Sequence, residues 1–458
     1  MPDTIAAIAT GGGISAVGIL RLSGDGAISA VDRLFCPKNG LKMSDAPDRK
    51  LVLGDLTDGA GRVLDLCLCT VSRAPNSYTG EHTTEFHCHG SPVILTEALH
   101  ALMKHGVRQA RAGEFTRRAF LNGRMDLSQA EAVIDLIEAE TAAAAYNAAG
   151  QLGGAVSCIT DDIYSKLTDI SAHFFAVIDY PDEDIEDFAL ERYDAVLRDA
   201  GGELEALLDT FDRGKLIKDG VPTAIIGRPN VGKSSLLNAL VGFERAIVTD
   251  VAGTTRDTVE EKLLLGGVLL RLVDTAGIRE PADEIERLGV ERARRASEAS
   301  RLVIAVFDGH EALTDDDRDV LAVVRAAPNA VVVAVVNKSD LERGVDAGEL
   351  DKTFRDVLYI SAKTGEGLKG LDDAVNRLFK NETDAPPGGI LTNARQADAI
   401  TRAAGSIRRA RAAMVTGVTP DAVLTEIEAA MSALGEITGK TVREDITARI
   451  FERFCVGK

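Results

Sequence analysis

Residues 227–234 read Gly-Arg-Pro-Asn-Val-Gly-Lys-Ser, and this stretch decides the fold of the central part of the chain. A strand-like run over residues 223–226 precedes it, and a helical pattern over residues 235–241 follows it. A glycine-rich turn between a strand and a helix can wrap phosphate groups with its backbone N–H groups. We therefore expect Lys233 to reach the β- and γ-phosphates of a nucleotide, and Ser234 to bind Mg²⁺.

Two motifs further along the chain indicate which base is bound. Asn337-Lys-Ser-Asp340 follows an apolar run and resembles the guanine-reading motif of the GTPase superfamily. The carboxylate of Asp340 can accept two hydrogen bonds from guanine N1–H and N2–H₂, a pair of donors that adenine lacks. We expect Asn337 and Lys338 to brace the phosphate loop and cover the base. Ser361-Ala-Lys363 resembles the last motif, whose backbone N–H groups meet the guanine carbonyl oxygen.

Between these motifs lie Thr254-Thr255 and Asp274-Thr-Ala-Gly277, which resemble the two switch segments of the superfamily. Either segment alone is typical of an ordinary turn, but four motifs in the order of the superfamily predict a GTP-binding domain. Thr255 is the expected second Mg²⁺ ligand. The residues predicted to contact GTP are Asn230, Val231, Gly232, Lys233, Ser234, Ser235, Thr249, Asp250, Val251, Ala252, Gly253, Thr254, Thr255, Asp274, Thr275, Ala276, Gly277, Asn337, Lys338, Asp340, Ser361, Ala362 and Lys363.

The second switch segment departs from a Ras-like pattern. Ile278 stands where Ras-like proteins have the glutamine that orients the attacking water. An aliphatic side chain cannot position water, so another group must do so.

The character of the sequence changes along the chain. Strand-like and helical runs alternate over residues 218–381, which predicts an inserted Ras-like α/β domain with a mostly parallel sheet. Residues 1–120 have an α+β pattern, whereas residues 121–217 and 382–458 are helical. Neither helical part is an obvious domain, so we interpret both as one all-α domain interrupted by the α/β domain. Four consecutive domains are the alternative.

Several local elements are predicted within these parts. Strands are expected over residues 14–22 and 64–71, and a helix over residues 92–105. A capping box of Ser128 with Glu131 is expected at the start of the first long helix.

Composition and charge restrict the possible partners. The chain has 71 acidic and 52 basic residues, and its net charge of −19 opposes non-specific binding to nucleic acid or anionic membrane. A chain that binds RNA must therefore use a local basic patch or a partner subunit. No apolar run approaches the length of a transmembrane helix. Six scattered cysteines indicate reduced thiols in a cytoplasm.

Metal-ligating side chains concentrate in one part of the N-terminal segment, at Cys67, Cys69, His87, Cys88 and His89. Their spacing matches no zinc finger. Successive residues of a strand also point to opposite faces of a sheet. The sequence therefore does not predict a metal site here.

The ends of the chain carry a resemblance to one family. The last residues, Phe454-Cys-Val-Gly-Lys458, resemble the terminal Cys-(Ile/Val/Leu)-Gly-Lys signature of the MnmE (TrmE) family of bacterial tRNA-modifying GTPases. Another GTPase family would share only the middle third of the chain, whereas this resemblance spans all of it. The other stretches that resemble the family are residues 18–24, 75–81, 111–124, 435–440 and 449–454.

The resemblance implies that the N-terminal α+β domain is folate-binding-like and holds the protein together as a homodimer. It implies a tetrahydrofolate one-carbon donor, in the 5-formyl or methylene form, contacted by Arg21, Glu81, Arg124 and Lys458. The position of Arg124 is commonly Lys in the family. Arginine keeps the positive charge but has a different geometry. Cys455 fits two roles, a nucleophile that adds to C6 of uracil or a packing residue beside the folate, and both stay open.

The resemblance also implies how GTP is hydrolysed. K⁺ takes the place of an arginine finger, with Asn230, Thr249, Val251 and Thr254 as its ligands. The acid that orients water falls on Glu286. The candidate catalytic residues are therefore Glu286, Lys233 and Cys455.

By the same resemblance, the chain acts in the cytoplasm with a flavin-dependent partner of the MnmG family, which carries FAD, in a heterotetramer. The pair forms an aminomethyl-type group, such as carboxymethylaminomethyl, at C5 of the wobble uridine of certain tRNAs. Two other functions remain open, a ribosome-assembly GTPase of the Era or Der kind and a non-catalytic GTP switch. Folate binding counts against the first, and fast turnover in K⁺ counts against the second.

Overall fold

A computed structural model describes residues 3–179, 189–243, 261–273, 286–327, 330–383, 388–417, 419–441, 447, 450–452 and 454–457. The chain folds into two compact units and passes between them four times. The first unit contains Met1–Ile134, Leu152–Gly201 and Ala399–Lys458, and the second contains Asp135–Gln151 and Gly202–Asp398.

The N-terminal part of the first unit is a seven-stranded sheet of order β3-β4-β5-β6-β2-β1-β7. Its strands are β1 Ile5–Ile8, β2 Ser15–Ser23, β3 Phe35–Pro37, β4 Val52–Thr57, β5 Val63–Ser72, β6 Thr83–Gly90 and β7 Arg108–Gln109. Its helices are α1 Ala27–Leu34, α2 Pro92–Lys104 and α3 Glu114–Leu121, with a 3-10 helix at Met43–Asp45. Neighbouring strands are antiparallel except β1 and β7.

Buried and partly exposed side chains alternate along the strands of this sheet, and the buried ones form its core. Cys67, Cys69 and Val71 of β5 are buried, whereas the residues between them are partly exposed. The buried face packs against α1 and α2 through residues such as Val31 and Leu99. The strands predicted over residues 14–22 and 64–71 and the helix predicted over residues 92–105 are confirmed as β2, β5 and α2, within one residue at each end.

Helices account for the segments on either side of the α/β region. They are α4 Leu127–Ile137, α5 Ala142–Leu152, α6 Ala155–Asp179, α7 Ala189–Leu208, α8 Phe211–Asp219, and, after that region, α14 Ala394–Thr416 and α15 Pro420–Thr438. Within the first unit, α6 packs along α15. Among the described residues, no helix combines the length and the apolar character needed to cross a membrane.

The start of α4 differs from the prediction. Asp126 caps the helix, because its Oδ1 accepts the N–H of Gln129 at 2.9 Å and its own N–H donates to Gln129 Oε1 at 3.0 Å. The predicted capping box of Ser128 with Glu131 is therefore wrong. Ser128 lies in the first turn, and its hydroxyl donates to Asp126 Oδ1 at 2.8 Å. Both pairs have the same three-residue spacing, so the pattern alone did not separate them.

The second unit is built on a six-stranded sheet of order β13-β12-β11-β8-β10-β9. Its strands are β8 Val221–Ile226, β9 Lys262–Leu265, β10 Val268–Leu272, β11 Leu302–Asp308, β12 Val331–Asn337 and β13 Val357–Tyr359. Its helices are α9 Lys233–Phe243, α10 Glu286–Glu298, α11 Asp315–Arg325, α12 Ala347–Thr353 and α13 Leu368–Thr383. All pairs are parallel except β9 with β10, so the predicted, mostly parallel sheet is confirmed.

The central strand shows why this sheet is covered on both faces. Every residue of β11 is buried, as expected for a parallel strand between two helical layers. Val306 packs into one apolar cluster and Phe307 into the other. The loops that follow the carboxyl ends of such strands are the usual place for a ligand.

Candidate functional site

The predicted phosphate loop joins the carboxyl end of β8 to α9, which begins at Lys233. Gly232 has a φ of +96°, and a Cβ at this position would collide with Nδ2 of Asn337. Glycine is therefore needed at this point for both backbone conformation and space. Asn230 also has a left-handed backbone, with φ of 66°. That conformation is uncommon for a residue with a side chain.

Lys233 lies across this loop. Its Nζ donates to the carbonyl oxygens of Gly227 at 2.7 Å and Arg228 at 2.8 Å. Burial, and then the positive charge of Arg228, lower the pKa of Lys233. A phosphate in the loop would counter both effects, because a nearby anion favours the charged form of an amine.

Asn337 connects the phosphate loop with the last motif. Its side chain is almost fully buried; Nδ2 donates to the carbonyl of Val231 at 2.9 Å, and Oδ1 accepts the N–H of Ala362 at 3.0 Å. One amide thus satisfies a backbone acceptor and a backbone donor on two separate loops. Replacing it would leave both buried groups without a partner, which is costly.

The acid predicted to read guanine is held in place by the same last motif. Asp340 Oδ1 accepts the hydroxyl of Ser361 at 2.7 Å, and the Ser361 Oγ accepts the N–H of Thr364 at 3.2 Å. The hydrogen bond from Ser361 lowers the pKa of Asp340. The carboxylate is therefore ionised at neutral pH, which is the form that accepts two hydrogen bonds from a base edge.

Asp308 also belongs to this site, although it is part of none of the sequence motifs. It ends β11, its side chain is 3% exposed, and its Oδ2 lies 2.5 Å from Nζ of Lys338 and 3.9 Å from Nη2 of Arg228. One carboxylate thus faces a cation of the phosphate loop and a cation of the guanine motif. Asp317 is also buried, and its Oδ2 accepts a hydrogen bond from Nε of Arg228 at 3.1 Å. The available signal was an acid that ends an otherwise apolar, buried strand.

A second candidate site lies in the N-terminal sheet, around Arg21. Its Nε donates to Glu85 Oε1 at 2.7 Å, and its guanidinium carbon lies 5.6 Å from the ring centre of Tyr78 and 5.9 Å from that of Phe115. Cation–π contacts with two rings hold a guanidinium in one orientation.

Glu81 lies near Arg21 in the loop before β6. Its Oε2 accepts the hydroxyl of Ser23 at 2.7 Å and Nη1 of Arg118 at 3.0 Å. Arg118 is almost buried and also bonds Asp3 and Glu114. The role of Arg118 could not be predicted from the sequence, because nothing there distinguishes it from Arg117.

Arg124 borders the same loop from the side of α3. A Cβ built on Gly80 would lie 3.2 Å from Cγ of Arg124. Nearby, Nδ2 of Asn122 donates to the carbonyl of Thr79 at 2.7 Å. The structure thus brings Arg21, Glu81 and Arg124 to the loop of residues 78–81.

The end of the chain reaches the same domain. Val456 forms a β-bridge with Ala112, and the carbonyl of Cys455 accepts the N–H of Gly113 at 3.3 Å. A Cβ on Gly457 would press against the carbonyl of Ile8. The side chain of Cys455 is exposed. The tail is thus held by its backbone, which leaves the thiol accessible.

Ser234 and Ser235 are exposed in the first turn of α9, and Lys363 is exposed directly after Ala362. The other predicted site residues lie outside the described part of the chain. Helix α10 begins at Glu286, but the side chain of Glu286 is also outside it. The others are Thr249, Asp250, Val251, Ala252, Gly253, Thr254, Thr255, Asp274, Thr275, Ala276, Gly277 and Lys458.

Comparison with known proteins covers the whole chain. Residues 4–124 match the family model described as the N-terminus of GTP-binding protein TrmE, and residues 127–455 match the MnmE helical domain. A tRNA modification GTPase MnmE from Heliobacterium modesticaldum is 42% identical over 100% of this chain and 99% of its own length. Its counterpart from Alkaliphilus oremlandii is 40% identical over the same shares. The resemblance seen in the motifs is confirmed, and the chain belongs to the tRNA modification GTPase MnmE family.

Proposed function

We propose that the protein couples GTP hydrolysis, assisted by Mg²⁺ and K⁺, to modification of the wobble uridine of certain tRNAs. The observation that carries the GTPase part is the bracing of the phosphate loop to the guanine motifs by Asn337, with Asp340 ionised beside it. The modification of tRNA is supported by the relatives that match along the full chain, which are tRNA modification GTPases.

Each group of the hydrolytic site has a proposed task. Lys233 stabilises the negative charge of the β- and γ-phosphates. Ser234, exposed in the first turn of α9, and Thr255 hold Mg²⁺, which neutralises phosphate charge when it is bound. Glu286 orients the attacking water in the place of the missing glutamine. With Thr249, Val251 and Thr254, Asn230 holds K⁺, which supplies the positive charge of an arginine finger.

The fit of Asn230 to this task rests on its backbone. Its φ of 66° is uncommon for a residue with a side chain, although asparagine adopts it more readily than most, and such conformations cluster at functional sites. Within the same loop, Gly232 also has a left-handed backbone. A side chain at a position suited to glycine is consistent with a ligand role.

The N-terminal site is proposed to hold a tetrahydrofolate one-carbon donor. Arg21, oriented by two aromatic rings, Arg124 and Lys458 are suited to the anionic glutamate tail. Glu81 is suited to the donor face of the pterin, because an ionised carboxylate accepts hydrogen bonds. Cys455, whose thiol is exposed, is a candidate nucleophile toward C6 of uracil.

The proposal extends to the assembly. A homodimer joined through the N-terminal domain acts with a flavin protein of the MnmG kind that carries FAD, and the group formed at C5 is of the carboxymethylaminomethyl type. The compartment is the cytoplasm, which agrees with six free cysteines. We propose as domains residues 1–120, 121–217 with 382–458, and 218–381.

Hydrolysis of GTP in KCl and in NaCl, at one ionic strength and several protein concentrations, tests the cation mechanism. Stimulation by K⁺ alone that grows with protein concentration supports the K⁺ site at Asn230 and dimerisation of the GTPase domains. Equal, slow rates in both salts would refute the K⁺ mechanism and favour a switch activated by a partner.

Calorimetric titration of the whole chain with 5-formyltetrahydrofolate tests the N-terminal site. We expect Glu81→Gln to weaken binding at least tenfold, because the replacement amide no longer offers a charged acceptor. Glu97→Gln, an exposed change on α2, is the matched control and is expected to bind normally. Binding that is absent from the unaltered protein would favour a ribosome-assembly GTPase.

A further inference from the structure

Three metal-ligating side chains meet where β5 runs beside β6. Asp65, Cys67 and Cys88 each offer one ligand atom, and these atoms lie within 4.8 Å of one another. Leu68 pairs with His87 in the antiparallel register, so Cys67 lies opposite Cys88. Both thiols are on the buried face of the sheet, where Cys67 is 4% exposed and Cys88 is 2% exposed.

This arrangement is not visible in the spacing of the cysteines and histidines. Within one strand, successive side chains point to opposite faces, but here two strands contribute ligands to one face. His87 and His89 do alternate with Cys88, but the neighbouring strand supplies Cys67 from across the ladder. Asp65, two residues before Cys67 on the same strand, completes the group.

His89 fixes the orientation of the carboxylate. Its Nδ1 lies 2.8 Å from Asp65 Oδ1, and its backbone N–H donates to Asp65 Oδ2 at 2.8 Å. Each carboxylate oxygen keeps a further lone pair for a metal. Outer partners of this kind are typical of metal-bound carboxylates.

We propose that Asp65, Cys67 and Cys88 bind a zinc ion, with His89 as the positioning partner of Asp65. Three atoms no more than 4.8 Å apart lie within about 2.8 Å of a common centre. Zinc–sulfur and zinc–oxygen bonds are about 2.3 and 2.0 Å, so shifts of about 0.5 Å for each sulfur and about 0.8 Å for the oxygen suffice to close the site. A fourth position is left for water, as in zinc sites with three protein ligands.

The ligand set selects among metals. Two thiolates disfavour Mg²⁺ and Ca²⁺, which prefer oxygen, and the carboxylate disfavours Cu(I), which prefers sulfur alone. Binding forms two Zn–S bonds and one Zn–O bond, releases the two thiol protons to solvent and changes no oxidation state. The ion joins two neighbouring strands of the N-terminal sheet.

Cys69 provides a matched control. It lies two residues after Cys67 on the same face of β5, belongs to the same apolar cluster and is buried to a similar extent. It is not one of the three residues whose ligand atoms meet. If the thiols serve packing alone, changes at Cys67 and Cys69 should have the same effect on metal content.

The test is metal content of the full-length protein after removal of metal with a chelator and dialysis against Zn²⁺. The unaltered chain and Cys69→Ala are expected to retain one zinc per chain, and Cys67→Ala and Cys88→Ala less than a tenth of that. Titration with Co²⁺ should give a thiolate charge-transfer band in the unaltered chain and in Cys69→Ala, but in neither Cys67→Ala nor Cys88→Ala. His89→Ala is expected to weaken zinc binding 10–100-fold.

Three outcomes would overturn the proposal. One is an unaltered chain that takes up no zinc. Another is equal zinc content in Cys67→Ala and Cys69→Ala, and the third is a Cys67–Cys88 disulfide in place of metal in freshly purified protein. Should the cysteine variants fail to fold, Asp65→Asn keeps both thiols. It is expected to weaken zinc binding at least tenfold with an unchanged circular dichroism spectrum, and unchanged zinc affinity would count against the site.

Discussion

At the scale of single residues, two side chains connect loops that are far apart in the sequence. Asn337 bonds the backbone of Val231 and of Ala362, and Asp308 lies between Lys338 and Arg228. A nucleotide contacts the phosphate loop and the guanine motifs together. These bridges therefore set the distance between the two halves of the site before the nucleotide arrives, which lowers the cost of ordering them on binding.

Asp308→Asn tests the second bridge. Loss of a buried hydrogen bond between charged groups costs about 1.5–3 kcal/mol, so we expect the Kd of GDP and the KM of GTP to rise about 10–100-fold. Because Asp308 touches no reacting atom in this scheme, kcat should change little. Asp316→Asn, an exposed change in α11, is the control. A fall in kcat with an unchanged KM would refute a positioning role.

The pH dependence of that effect follows from the pKa of Asp308. Burial acts to raise this pKa, but the hydrogen bond from Lys338 and other partners outweigh burial and hold it below its usual value. A lowered pKa stabilises the folded protein above the unfolded value of about 3.9, and this contribution is lost only as pH falls through the folded value. The ratio of Kd between Asp308→Asn and the unaltered protein should therefore stay constant from about pH 6 to 9. A ratio that changes over this range would show that another group is involved.

Gly232→Ala tests the packing of the phosphate loop. With φ of +96° and Asn337 in the way, an alanine must displace the loop or break the bridge, so we expect GTP binding and hydrolysis to be lost. Gly242→Ala is the control, because nothing lies near the position of its Cβ in α9. It should keep activity and stabilise the helix by up to about 1 kcal/mol. Normal hydrolysis by Gly232→Ala would refute the proposed geometry.

At the scale of elements, helix ends and strand register decide where side chains lie. The cap at Asp126 starts α4 two residues earlier than a cap at Ser128 would. The register of β5 with β6 brings Cys67 opposite Cys88, although they are 21 positions apart in the chain. Neither feature follows from the periodicity of one element, because each depends on which of two competing partners is chosen.

Asp126→Ala tests the cap of α4. Loss of an N-cap acceptor costs about 1 kcal/mol, so the unfolding midpoint in urea should fall. Asp126→Asn keeps an acceptor at the same place and should leave the midpoint nearly unchanged. Circular dichroism during urea unfolding measures both. Equal midpoints for Asp126→Ala and the unaltered protein would contradict this assignment of the cap.

At the scale of the whole molecule, the chain forms two compact units with separate apolar clusters. The nucleotide site lies in the second unit, and the sheet with Arg21 and Glu81 lies in the first. A ligand stabilises the unit that binds it by RT ln(1 + [L]/Kd), about 2.7 kcal/mol at 100 times Kd. With the function proposed above, each unit has its own ligand as a probe of its stability.

Scanning calorimetry with GDP tests this division. We expect two transitions, of which GDP raises the one that belongs to the second unit, while 5-formyltetrahydrofolate raises the other. Gly232→Ala should abolish the shift caused by GDP and keep the shift caused by the folate. A single transition that both ligands raise equally would show that the two units unfold as one.

The sequence alone determined the α/β character of the central region, the phosphate loop, the guanine motifs and the family, because these depend on short runs of residues with a local physical reason. Glycine-rich turns, apolar strands and motif order need no knowledge of distant contacts. Lys233 and Asn337, for example, were predicted from such local motifs.

Only the tertiary structure decided the rest. The choice of Asp126 over Ser128 as cap, the place of Asp308 between two cations, the burial of Arg118 against Glu81, and the meeting of Asp65, Cys67 and Cys88 all depend on partners distant in sequence or on competition between equal local patterns. An isolated acid or cysteine has the same local signature whether it is exposed or buried. Its role is set by the charge and the space that neighbouring strands and helices place around it, and folding alone brings these together.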